Sequence, residues 1–110
     1  LIDDDLRLKE VVQAVSKANE IALDTEADSM HAYPEKICLL QIRTQKSSWL
    51  VDPLSDVDCR PLLEAFQDKI LIFHAADYDL RLLYKRFGFR PSQVFDTMWA
   101  ARMVGHERFG

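Results

Sequence analysis

The run Lys69-Ile70-Leu71-Ile72-Phe73 constrains this chain more than any other stretch. It is nearly continuous in apolar residues, the pattern of a strand buried on both faces of a sheet. A helical stretch comes after it from about Asp77 to Phe87, with Gly88 and Pro91 as stop signals. A buried strand that feeds a helix calls for a layered α/β architecture, and the rest of the chain is legible around that unit.

Upstream, Leu8, Val11, Val12, Val15 and Ala18 form a helical stripe over residues 5–18. Asp3, Asp4 or Asp5 can cap its start, where carboxylates also suit the helix dipole. Ile21-Ala22-Leu23-Asp24-Thr25-Glu26 is a short strand whose apolar start gives way to acids. Residues 37–44 and 48–52 are two further strands, close enough to pair as a hairpin. Arg60 to Phe66 is expected as a helix opened near Asp58, Val94-Phe95 as a short strand, and Met98 to Val104 as the start of a last helix. The order α-β-β-β-α-β-α-β-α predicts a mixed sheet with helices packed on it. A ribonuclease H-like fold has this order, and so do other α/β folds.

At 110 residues the chain suits one domain and is too short for two. No apolar run approaches the roughly 18–20 residues of a membrane span. The start, Leu-Ile-Asp-Asp-Asp, shows no signal peptide and suggests that these residues belong to a longer parent protein. Cys38 and Cys59 lie far apart, which argues against a disulfide framework or a zinc site, and Cys38 is expected to be a buried small hydrophobe. A reducing, cytoplasmic setting is the default reading. The net charge of −4 is unevenly spread: residues 1–80 carry 8 Lys/Arg against 16 Asp/Glu, and residues 81–110 carry 6 against 2. An acidic half could hold divalent metal beside a polyanion drawn by the basic half, although two solvated faces would give the same count.

Asp24-Thr25-Glu26 is the first candidate for chemistry. Residues i and i+2 of a strand share a face, so the two carboxylates stand together and can hold a hard cation such as Mg²⁺ or Mn²⁺. A solvated strand end is the plainer alternative. His74-Ala75-Ala76-Asp77-Tyr78-Asp79 is the second, because ligands of open α/β sheets bind at the carboxyl ends of strands. Asp77 is expected to be the helix N-cap and Asp79 to lie in the first turn. His74 is expected to be a hydrogen-bonded strand-end histidine in preference to a general base. Asp96 is expected to cap the helix after it. Asp28, His31 and Tyr33 sit in a loop that could touch substrate, Trp49 and Trp99 are expected in the core, and Arg81, Lys85, Arg86 and Arg90 could face a phosphate backbone.

Taken in order, several stretches resemble the opening of the ribonuclease D family of 3′→5′ exonucleases. They are Ile21 to Asp28, Tyr33 to Ile42 with Gln41, and Leu50-Val51-Asp52-Pro53-Leu54, then Ile72 to Leu80, Val94 to Thr97, and Ala100-Ala101-Arg102. This resemblance runs from about residue 20 to residue 105. It implies a single exonuclease domain over residues 1–110 with its C-terminal part missing. It also implies hydrolysis at RNA 3′ ends with two divalent ions, Mg²⁺ or Mn²⁺, releasing nucleoside 5′-monophosphates. Carried over by position, Asp24 and Glu26 are the first-motif pair and Asp79 is the second-motif acid. Asp24 would bridge the ions, with Glu26 and Asp79 each completing one side. The family's third motif, Tyr-x-x-x-Asp, has no counterpart after Asp79 in these residues, so the 110 residues alone are expected to cleave poorly. The alternatives are a silent nuclease-fold module that binds RNA or protein, a DNA-directed exonuclease of the same superfamily, and a generic α/β domain with solvated acids.

Overall fold

The computed structural model describes residues 1–28 and 36–98. Helix α1 (Asp5–Lys17) is capped by Asp4, whose Oδ1 accepts from the Arg7 amide at 2.8 Å. It buries Leu8, Val11 and Val15. Strand β1 (Glu20–Asp28) pairs antiparallel with β2 (Lys36–Arg43), and β2 turns back into β3 (Ser48–Val51) as the expected hairpin. Helix α2 (Arg60–Phe66) buries Leu62 and Phe66. Asp58 prepares its start by accepting from the Arg60 amide at 3.1 Å, and Asp5 Oδ1 accepts from the Asp58 amide at 2.8 Å, tying α1 to this turn. Strand β4 (Ile70–Phe73), helix α3 (Ala76–Phe87) and strand β5 (Gln93–Asp96) complete the described elements. A helical turn opens at residues 97–98, and the rest of that expected helix, with Trp99, lies outside the described residues.

The sheet has the order β3-β2-β1-β4-β5, with β1-β4 and β4-β5 parallel and the other pairs antiparallel. This is the mixed α/β sheet that the element order predicts. Strand β4 begins at Ile70 and leaves out Lys69, whose amide closes back on the Phe66 carbonyl at 3.1 Å. The Lys69 ammonium then donates to the Ser16 carbonyl at 3.0 Å, so this nearly buried cation is satisfied at the end of α1.

Strand β4 departs from the expectation of burial on both faces. Leu71 and Phe73 are fully buried, but Ile70 and Ile72 are only half-buried. The same asymmetry crosses the sheet. Ile21, Leu23 and Thr25 of β1, Leu40 and Ile42 of β2 and Val51 of β3 share the closed face with Leu71 and Phe73. The buried residues of all three helices join them in one core. The opposite face carries Ala22, Asp24, Gln41 and Ile72 with Leu50 and Phe95, the last two 42% and 49% exposed. A continuous apolar run shows that a strand is central, and the number of layers covering it depends on residues far away in sequence. Trp49 packs partly buried against the core, as expected. Cys38 is only half-buried and donates weakly to the Glu26 carbonyl, while Cys59 is the buried thiol. Among the described residues no helix is long and apolar enough to cross a membrane.

Candidate active site

The site lies at the carboxyl ends of the two central strands. Strand alternation sends Asp24 and Glu26 to the open face, both exposed, and turns Thr25 inward to 8% exposure. A register shift against β2 falls directly after Glu26, and such irregularities commonly re-aim side chains at strand ends. The side chain of Asp28 and all of His31 and Tyr33 lie outside the described residues.

Asp79 arrives from α3. It lies in the first helical turn, as expected, and is 7% exposed. Its Oδ1 accepts from the Thr25 hydroxyl, a direct link from α3 to β1. Burial pushes the Asp79 carboxyl above the usual carboxylate range, and the negative charge of Asp24 pushes the same way. The Thr25 hydroxyl and the Thr25 backbone pull it down, without cancelling the rise. Asp24 and Asp79 therefore interact as like charges. Among the described residues no Lys or Arg forms an ion pair with Asp24, Glu26 or Asp79.

The turn that delivers Asp79 is held from β5. Asp77 is not its cap: α3 begins at Ala76, so Asp77 falls within the first turn, exposed. The expected position failed because the chain enters the helix through Ala75 in the left-handed conformation, φ 59°, which places the cap two residues before Asp77. Asp96 supplies the acceptors instead. Its Oδ1 accepts from the Ala75 amide at 2.9 Å and from the Met98 amide at 3.0 Å, and its Oδ2 from the Ala76 amide at 2.8 Å. Asp96 thus caps the turn after β5, as expected, and also the start of α3. His74 is hydrogen-bonded, as expected. Its Nδ1 lies 2.8 Å from the Thr97 hydroxyl, which donates to the Phe73 carbonyl at 3.2 Å.

The sequence patterns therefore identify Asp24, Glu26 and Asp79 but pass over Thr25 and the second role of Asp96. The signal for Thr25 was its place between two outward acids, which alternation turns toward the core. No local signal could pair Asp96 with amides about 20 residues away.

The donor set suits a hard divalent cation. It offers carboxylate oxygens alone, and the mutual repulsion of Asp24 and Asp79 is what such an ion would relieve. Among the described residues no three His, Cys, Asp or Glu side chains are gathered closely enough to hold an ion together. Asp24 and Glu26 share the open face, whereas Asp79 is drawn toward Thr25 on the closed side. Of the basic cluster, Arg86 stacks over Phe87 and reaches the Pro53 carbonyl, and Arg90 stacks over Tyr84 and bonds its hydroxyl. Arg81 and Lys85 are exposed.

The fold and the three acids leave the class of protein open, and comparison with known proteins gives the family. The family model described as 3′-5′ exonuclease matches residues 1–110. The chain is 34% identical over 109 residues to ribonuclease D of Zymomonas mobilis, covering 96% of this chain and 28% of that protein. It is 31% identical over 101 residues to DNA polymerase I of Aquifex aeolicus, covering 92% and 17%. The crystal structure of Escherichia coli RNase D, described as an exoribonuclease involved in structured RNA processing, superposes with a TM-score of 0.85. That match has 30% identity and covers 94% of this chain and 28% of the other. The chain belongs to the 3′-5′ exonuclease family. It spans a little over a quarter of the length of the ribonuclease D it matches.

Proposed function

We propose that these residues form the opening part of a metal-dependent 3′→5′ exoribonuclease that acts in the cytoplasm. The observation that carries the reading is the outward pair Asp24 and Glu26 at the end of β1, with Asp24 in electrostatic reach of Asp79, inside a chain matched throughout by the exonuclease family. Asp24 and Glu26 would hold one Mg²⁺ or Mn²⁺ ion, and Asp24 and Asp79 a second. Such ions, when bound, lower the pKa of water and neutralise charge that builds on the scissile phosphate. The chain's own part is to place acceptor oxygens. Glu26 is also suited to accept from a terminal 3′-OH, which would favour ends over internal bonds. Cleavage at the last phosphodiester releases nucleoside 5′-monophosphates. Three carboxylates without the family's fourth hold ions weakly, so the 110 residues alone are expected to cleave poorly.

RNA is favoured by the ribonuclease D relatives, and a DNA end is the second reading, favoured by the DNA polymerase I relative. The test is full-length protein with 5′-labelled single-stranded RNA or DNA and Mn²⁺, beside an EDTA control and Asp24→Asn. A ladder shortening from the 3′ end, lost in both controls, supports the reading, and the preferred strand sets the substrate. Binding without cleavage would replace it by a silent nucleic-acid-binding module.

A further inference from the structure

Position 25 is a place where an apolar β-branched residue would be expected, on a central strand, facing the core and 8% exposed. A hydroxyl there loses its water and destabilises the fold unless it finds a partner. Its partner is a carboxylate 54 residues away in sequence, itself 7% exposed. From that pairing we infer that Thr25 is a positioning residue for the ion site, its hydroxyl fixing the orientation of the Asp79 carboxylate through Oδ1. This rests on the proposed metal-dependent reading.

Rotation of the Asp79 side chain is what such a brace would restrict. An aspartate in the first turn of a helix can swing its carboxylate about two side-chain bonds, and helix geometry alone does not select the orientation. A donor fixed on the neighbouring strand does. The side chain of Thr25 is stiff, because a β-branched residue in a strand has few χ1 options. Its hydroxyl therefore sets Asp79 in a direction fixed by the strand that also carries Asp24 and Glu26. Asp24 and Glu26 point one way from the strand and Thr25 the other, so a single tripeptide supplies two proposed ligands and the brace for a third.

The experiment compares full-length wild type with Thr25→Val, Thr25→Ala and Thr25→Ser. Mn²⁺ affinity is read by paramagnetic resonance of the free ion, and folding by thermal denaturation in EDTA. The valine and alanine variants should remain folded in EDTA and bind Mn²⁺ about tenfold or more weakly, the scale of a lost hydrogen bond to a charged group. Serine, which restores the hydroxyl, should bind within about threefold of wild type. Wild-type affinity in the valine variant would overturn the inference. So would loss of folding in both valine and alanine variants with serine folded, which would make the bond a structural latch. Absence of Mn²⁺ binding by the wild type would instead overturn the metal-dependent reading itself, and this inference with it.

Discussion

Ala75 holds a left-handed backbone conformation without being glycine, at φ 59° and ψ 66°. For an L-residue with a Cβ this costs roughly 1–2 kcal/mol. The cost is met locally by Asp96, whose carboxylate takes the amides of Ala75, Ala76 and Met98. Ala75→Gly should therefore raise stability by up to about 1 kcal/mol, the strain relieved less the added freedom of the unfolded chain. Asp96→Ala should lower stability by about 2 kcal/mol, because a charged acceptor shared by three amides is lost. Urea denaturation measures both, and an unchanged midpoint for Asp96→Ala would show that water replaces the carboxylate. Local sequence made Asp96 legible as a cap for the turn after β5, and Asp24, Glu26 and Asp79 legible as candidates. The bracing of Ala75 and the Thr25-Asp79 bond were not legible, because both join residues with no shared periodicity.

Among the elements, helix ends behave differently according to what caps them. Helix α3 stops at Gly88, φ 66°, whose amide returns to the Tyr84 carbonyl at 2.7 Å. An added Cβ there meets nothing within 4 Å, so Gly88→Ala should cost about 1 kcal/mol through backbone strain alone. Helix α2 has only seven residues, and its start is organised by Asp58, which pairs with Arg60 at 2.8 Å. The Arg60 guanidinium beside Asp58 holds its carboxyl down to about 2, from an ordinary value of 3.8. A carboxyl lowered by folding stabilises the native state above its unfolded pKa, and that contribution fades as pH falls through the folded value. The Asp58 contribution should therefore be complete above pH 3.8 and be lost toward pH about 2. The pair is exposed, so its amplitude should be small. Comparing urea midpoints of wild type and Asp58→Asn at several acid pH values checks this, and the two should converge at the acid end. The elements themselves were legible from apolar periodicity and stop signals, because these are local properties. The cap of α3 was misplaced by two residues, because the turn before it depends on Asp96.

For the molecule as a whole, the asymmetry between the two sheet faces has the most consequence. The closed face gathers the core, while the other displays Leu50 and Phe95 on the same side as Asp24. Apolar surface next to a polar site is a common mark of an interface or a binding region. The isolated 110 residues should therefore self-associate as concentration rises, and Leu50→Lys with Phe95→Lys should shift them toward monomer in sedimentation. The mixed sheet was legible in the sequence from three strands followed by α-β alternation, but the spatial order of its strands was not. The open face was not, because Ile70 and Ile72 are as apolar as Leu71 and Phe73, and coverage is decided by which helices pack where.

If Asp24, Glu26 and Asp79 serve one divalent-ion site, anomalous diffraction from crystals of the full-length protein soaked in Mn²⁺ shows it most directly. The expected result is anomalous density bounded by oxygens of all three carboxylates, lost in an Asp24→Asn crystal soaked in the same way. Mn²⁺ elsewhere, with these three carboxylates uncoordinated under conditions that support cleavage, would contradict the shared site.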